Sequence, residues 1–185
     1  AGHDALRLGL PDLAARRFNR AAELTPPDHE QDRWRRLEQF VRQSTTVGDL
    51  GHVRLAVELF ESASGDDDVR NSTLSLAALQ LHTDSEATAV ATCRAGLERL
   101  EGPLHRVEVL RFLVRIEQFH DLRTGLTTAE QLADEAARSC DPEAIALAGA
   151  MLASARCLVG LPFDLGTVEP STGPLSDKVA LHVAE

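Results

Sequence analysis

The stretch AGHDALRLGLPDLAARRFNRAAELTPP, residues 1–27, decides the fold class. Within it Gly2, Ala5, Gly9, Ala14, Phe18, Ala21 and Pro26 follow one another at spacings of 3, 4, 5, 4, 3 and 5. Steps of three and four keep residues on one face of a helix, so two short helices are written here, divided around Gly9. Small residues on the shared face let two helices approach closely. Phe18 is bulky enough to fill the groove beside them, and Pro26 cannot continue a helix and ends the second. The expectation is an antiparallel helix pair over about residues 1–25. Ala1 would already lie midway through its first helix, so the chain would begin inside an element.

Working outward, the same punctuation recurs. Pro26-Pro27-Asp28 stops one helix and caps the next, predicting a second pair at about 28–46 and 49–63, with Gly48-Asp49 as the tight turn. Leu50, Val53, Val57 and Phe60 recur there at helical spacing, and Leu55 and Leu59 widen the stripe. Ser64-Gly65-Asp66 breaks the chain before a third pair at about 67–81 and 85–100, divided at His82-Thr83-Asp84. A fourth pair is expected at about 103–122 and 128–140, divided at Thr124-Gly125. Pro103 stands at its first helical position, and Thr128 reads as a cap with Gln131 three residues on. In that last helix Ala129, Ala133 and Ala136 repeat the spacing of Ala14, Phe18 and Ala21. Pro142 opens one more helix, about 143–159. Residues 161–176, broken by Pro162, Pro170 and Pro174, read as a loop or linker, and 177–185 as the unfinished start of a further helix. The domain reading is therefore one helical array over 1–160 with both ends cut from a longer chain.

Composition agrees with an all-α class. Hydrophobic residues make up 43% of the chain, enough for a substantial core, while aromatics are only 4% with one Trp and no Tyr. A core of Leu, Ala and Val suits closely approaching helices better than a sheet, where β-branched and aromatic residues are favoured, and no alternating run is present. The net charge of −10 repels phosphate backbones and argues against direct nucleic-acid contact by this segment. Cys93, Cys140 and Cys157 are three, sparse and without metal-type spacing, which fits reduced thiols in a cytoplasm. No run approaches about 18 apolar residues and no charged-then-apolar leader is present, so neither membrane insertion nor export is expected.

Signs of catalysis are few. The phosphate-loop form GxxxxGK, HExxH, GxSxG and CxxC are all missing from the sequence. The seven histidines are dispersed, none four residues from another, and read as surface or turn residues. Asp66-Asp67-Asp68 invites a cation-site reading. It precedes a helix, though, where carboxylates cap free N–H groups and meet the positive end of the dipole. Arg33, Trp34, Arg35 and Arg36, with Arg42 beyond, form the most basic patch. It is either an anion or acidic-peptide contact with Trp34 as stacking anchor, or a solvated face paired with Glu30, Asp32 and Glu38 while Trp34 packs on a neighbour. Arg106, Arg111 and Arg115, sharing a helix with Glu108 and Glu117, carry the same two readings. His120-Asp121, adjacent on a helix, would point about 100° apart and make no acid–base pair. No catalytic, metal or cofactor-binding residue is expected, and no cofactor; the chain reads as a non-enzyme.

The spacings of residues 2–26 resemble the tetratricopeptide pattern of small residues, a bulky residue and a closing proline. Turn signals at Gly9, Gly48, Asp84 and Gly125 lie 36 to 41 residues apart, longer than the strict repeat of about 34. More widely, the chain resembles the helical-repeat region of large LuxR-type (MalT-like) bacterial transcriptional regulators. The likeness lies in Leu8-Gly9-Leu10-Pro11-Asp12-Leu13-Ala14 through Ala22-Glu23-Leu24-Thr25-Pro26-Pro27, in Gly48-Asp49-Leu50, and in residues 144–161. The resemblance implies an α-solenoid that senses a protein or peptide partner, or a small effector. The ATPase and helix-turn-helix parts would be carried elsewhere in the protein. Polar positions on the first helix of each pair, Arg35, Gln39, Gln43, Ser75, Gln80, Arg111 and Arg115, are the candidate partner-binding residues. A stand-alone adaptor binding a peptide is the nearest rival, and an all-helical enzyme the more distant one. An interrupted array would also expose apolar faces at its ends and self-associate through them.

Overall fold

In the computed structural model, which describes residues 1–162, every regular element among those residues is an α-helix. They are α1 (Gly2–Arg7), α2 (Pro11–Glu23), α3 (Glu30–Thr46), α4 (Val53–Ser62), α5 (Asp66–Thr83), α6 (Glu86–Arg99), α7 (Pro103–Glu117), α8 (Leu122–Ser139) and α9 (Pro142–Leu158). The turns α1–α2 and α3–α4 pass through Gly9 at φ +68° and Gly48 at φ +80°, a left-handed backbone that side chains disfavour. From residue 163 onward, the expected 161–176 loop and 177–185 helix lie outside the described residues.

Three local expectations are corrected. The fourth break falls at residues 118–121, not at Thr124-Gly125: α7 ends at Glu117 and α8 begins at Leu122. Asp121 is the reason, because its carboxylate caps α8 by accepting from the N–H groups of Arg123 (3.0 Å) and Thr124 (3.3 Å). Gly125 then lies inside α8, where its missing side chain admits the end of α7: a Cβ there would stand 3.1 Å from the Gln118 backbone. Thr128 is accordingly a buried mid-helix residue and no cap. Asp28 does not cap α3 either, since that helix starts two residues later behind His29 with no side-chain cap bond.

The chain divides into two units, residues 1–101 and 102 onward. In the first, α2 and α3 are antiparallel. Arg36 of α3 donates to the Ala21 carbonyl (3.2 Å) and to the Thr25 hydroxyl, and Phe40 packs on the Ala5–Ala14–Phe18 cluster. Gly2 lies under the Phe18 ring so tightly that a Cβ would come within 2.7 Å of it. α3 and α5 instead run side by side in the same direction: Gln31 meets Asp68 and Glu38 meets Ser75, both at an offset of 37 residues. Around them Val41, Ala56, Leu59, Leu76 and Leu79 form the apolar core. α6 folds back on α5, where Thr92 reaches Gln80 and Gly96 takes the Thr73 side chain against its backbone.

In the second unit α7 and α8 form an antiparallel hairpin, with α9 against α8. The ends of that hairpin are registered by Arg106–Glu135 and Glu117–Thr128. Between them α7 supplies buried Val107, Leu110, Leu113 and Val114, and α8 supplies Ala129, Leu132 and Ala136. Large side chains on one helix against small ones on the other let the two axes draw together. Asp141 caps α9, accepting from the N–H groups of Glu143 and Ala144 at 2.9 Å each.

Candidate partner-binding surfaces

The polar residues of α3 and α5 meet in a seam built on two buried carboxylates, Glu38 (2% exposed) and Asp68 (4%). Glu38 accepts from the Ser75 hydroxyl (2.8 Å), from Gln39 Nε2 (3.0 Å) and from Arg42 at 3.0 Å. Asp68 accepts from Gln31 and lies 3.6 Å from the Arg35 guanidinium. A buried carboxylate is tolerated only where donors and a cation replace its hydration, and each of these has both. Arg42 also donates to Asn71 Oδ1 (2.9 Å), a further link between the two helices. The acidic run Asp66-Asp67-Asp68 is thus dispersed among tasks: Asp68 enters the seam, Asp67 pairs with Arg70 at 3.0 Å, and Asp66 accepts from the Glu101 N–H at 3.2 Å. Among the described residues, no group of three or more His, Cys, Asp or Glu is placed to hold a metal ion.

The seam absorbs much of what the sequence offered to a partner. Gln43, Ser75 and Gln80 are all buried and do not line an open groove: α3 packs on α2, α4 and α5, and α5 on α3, α4 and α6, so these positions turn inward. Ser75 holds Glu38, and Gln80 Oε1 accepts from Thr92 (2.7 Å). Gln39 is half-buried against Glu38, and Arg35 is exposed beside Asp68. Trp34 is partly buried against the apolar core and donates its indole N–H to Ser62 Oγ (3.1 Å), the neighbour-packing arrangement that the sequence offered as the second reading of the basic patch. Arg36 and Arg42 hold neighbouring helices, as above.

Arg111 and Arg115 stand apart from this group. Both are exposed on α7 of the second unit, and among the described residues neither makes an ion pair or hydrogen bond. They are one helical turn apart; Leu104 lies on the same side of the helix, 44% exposed, and Phe119 in the turn after it is 86% exposed.

Sequence reasoning passed over Arg99. Its guanidinium stacks on Phe60 at 5.0 Å and donates to the carbonyls of Phe60 (2.7 Å) and Ala63 (2.8 Å), closing the C-terminal end of α4. No local pattern marks it, because the partners lie 36 and 39 residues away.

Two exposed carboxylates have lowered pKa values. For Asp49 the cause is the Gly51 N–H, then His52 Nε2 at 3.0 Å; for Asp121 it is the Thr124 hydroxyl at 2.7 Å, then the backbone N–H groups of the cap. Both belong to helix starts or turns and neither faces the seam. No helix among the described residues is long and apolar enough to cross a membrane. No family model, curated protein or solved structure matches this chain.

Proposed function

We propose that this chain is a helical-repeat segment that binds a protein or peptide partner, or a small effector, as the sensing region of a LuxR-type transcriptional regulator. One observation carries the repeat reading. α3 and α5 run in parallel, with Gln31–Asp68 and Glu38–Ser75 both at an offset of 37 residues, the step expected when successive helix pairs stack side by side. The second helices keep a similar step, since Arg99 of α6 reaches back 36 and 39 residues to the end of α4. Stacked pairs of this kind expose one helix of each pair along a continuous face, a surface suited to holding an extended partner. The solvent-facing members of the candidate set, Arg35, Arg111 and Arg115, belong to the first helices of their pairs.

Affinity capture with the purified chain tests the binding role. Arg35→Ala combined with Arg111→Ala should release the captured partner or effector; if every interaction survives, these residues do not carry it. The regulator reading is tested by the coding sequence on either side of this segment. A GxxxxGK nucleotide loop upstream and a helix-turn-helix downstream are expected. Finding neither would leave the stand-alone peptide adaptor.

A further inference from the structure

We infer that the outward stripe of α7, Leu104, Arg111, Arg115 and Phe119, is the docking face for an acidic amphipathic helix of a partner protein. The inference rests on the binding role proposed above and adds the chemistry of the partner. Steps of seven and four residues put Leu104, Arg111 and Arg115 on one side of α7, and Phe119 stands in the turn that follows it. At 1.5 Å per residue the stripe is roughly 20 Å long, the length of a partner helix of about four turns.

Charge selects the occupant. Like charges one turn apart repel, and the arginines elsewhere in this acidic chain are mostly set against carboxylates or carbonyls: Arg16–Asp12, Arg42–Glu38, Arg54–Glu58, Arg106–Glu135. Arg111 and Arg115 have no such partner among the described residues. Glu108, on the same side, is half-buried and engaged with partners of its own. A pair of guanidinium groups spaced this way fits two carboxylates spaced by one helical turn. Single exposed leucines are ordinary, but Phe119 at 86% exposure beside them calls for an apolar cover, and so does Leu104 at the other end. The matching partner therefore carries acidic residues at its centre and large apolar side chains about a turn beyond on each side.

Other occupants fit less well. A nucleic acid would meet a chain of net charge −10. A second copy of this chain offers exposed Glu130 and Asp134 on α8, but Thr127 and Ala137 flank them, and neither would cover Phe119.

Fluorescence anisotropy on the full chain in 0.15 M salt tests the inference. One probe is a labelled 18-residue helical peptide with two central Glu four apart and Leu beyond each; the other is the same peptide with Lys for Glu. The acidic probe should bind about tenfold or more tighter, the scale of two moderate charge pairs. Arg111→Glu/Arg115→Glu should reverse the preference, and Phe119→Ala should weaken the acidic probe about tenfold. All three positions are exposed, so the variants should fold as the parent does. Equal binding of both probes, binding of neither, or a preference that survives the arginine reversal would overturn the inference. So would self-association in light scattering that Arg111→Glu/Arg115→Glu abolishes, which would assign the face to a second copy. A captured partner that depends on Arg35 but ignores Arg111→Glu/Arg115→Glu would remove this face and leave the wider binding role; indifference to both would remove both.

Discussion

The two units bury different chemistry. The first places Glu38, Gln43, Ser44, Asp68, Ser72, Thr73, Ser75, Gln80 and Thr92 in its interior; the second, among its described residues, places Glu117, Thr128 and Glu135. Topology accounts for the contrast. α5 is touched by α3, α4 and α6, which buries most of its length, and Ser72 and Thr73 satisfy themselves by bonding back along the helix. Ser72 donates to the Asp68 carbonyl at 2.8 Å and Thr73 to that of Val69 at 2.6 Å, and neither needs room for a partner. α7 and α8 make a plain hairpin, in which α7 brings Leu and Val, and α8 brings Ala around a single buried Leu, Leu132. Polar anchors are needed there only toward the ends, to set register. The parallel α3–α5 neighbours thus carry polar pairs along their length, whereas the α7–α8 hairpin, joined by a short turn, carries them only toward its ends.

Truncation of the apolar cores should have the largest effect, and a similar one in both units. Leu79→Ala in the first and Leu113→Ala in the second, each at a fully buried site, should each cost about 2–5 kcal/mol by urea denaturation. A near-neutral result in one unit would mean that its core is held by something other than apolar packing.

The glycine contacts should separate the units. A Cβ on Gly96 would stand 2.4–3.0 Å from Oγ1, Cγ2 and Cβ of Thr73, a short branched side chain with nowhere to go, so Gly96→Ala should cost about 1–3 kcal/mol. Thr73→Ala in that background should restore more than half of the loss. Gly125→Ala meets the Gln118 backbone at 3.1 Å, a milder approach offset by the better helix propensity of Ala, and should change stability by less than about 1 kcal/mol. Thermal melts of the three variants decide this; equal costs at both glycines would erase the distinction.

Smaller again are the register bonds. Ser75→Ala removes one of three donors to Glu38, and Thr128→Val removes the 2.5 Å bond to Glu117; each should cost roughly 0.5–1.5 kcal/mol. Circular dichroism melts should place both below Gly96→Ala. A loss at Ser75 as large as at Leu79 would give the polar seam more weight than the apolar core.

The slightest difference concerns acid. Asp49 and Asp121 have folded pKa values below the ordinary 3.8, so their stabilisation is complete above that value and fades as pH falls through the lowered ones. Asp121→Ala should therefore lie below the parent in melting temperature at pH 6, and the gap should narrow as the pH falls below 3.8. A gap that widens in acid would contradict the sign.

How much was legible can be argued from single residues. The first pair was written in full, because Ala5, Ala14 and Phe18 sit at helical spacing and their partners are close in sequence. α5 was legible as a helix but not as an interior one: with Asp, Asn, Ser, Thr and Gln around its circumference it reads as solvated, and only contact with three neighbours turns those groups inward. Ser75 and Gln80 are interior for that reason, and Gln43 of α3 is buried as well. Thr124-Gly125 misled in another way. Glycine usually marks a turn, yet here its want of a side chain serves the approach of α7, and Asp121 four residues earlier starts the helix.

What the sequence determined alone was local: an all-helical chain, most of its breaks, and a core of Leu, Val and Ala, since propensity, capping and periodicity act over a few residues. Tertiary structure decided which polar residues are interior and which arginines are set against neighbouring helices. Those outcomes depend on offsets of 29 to 39 residues between helices, such as Arg42 with Asn71 and Arg99 with Phe60, and no local pattern encodes a distance of that kind.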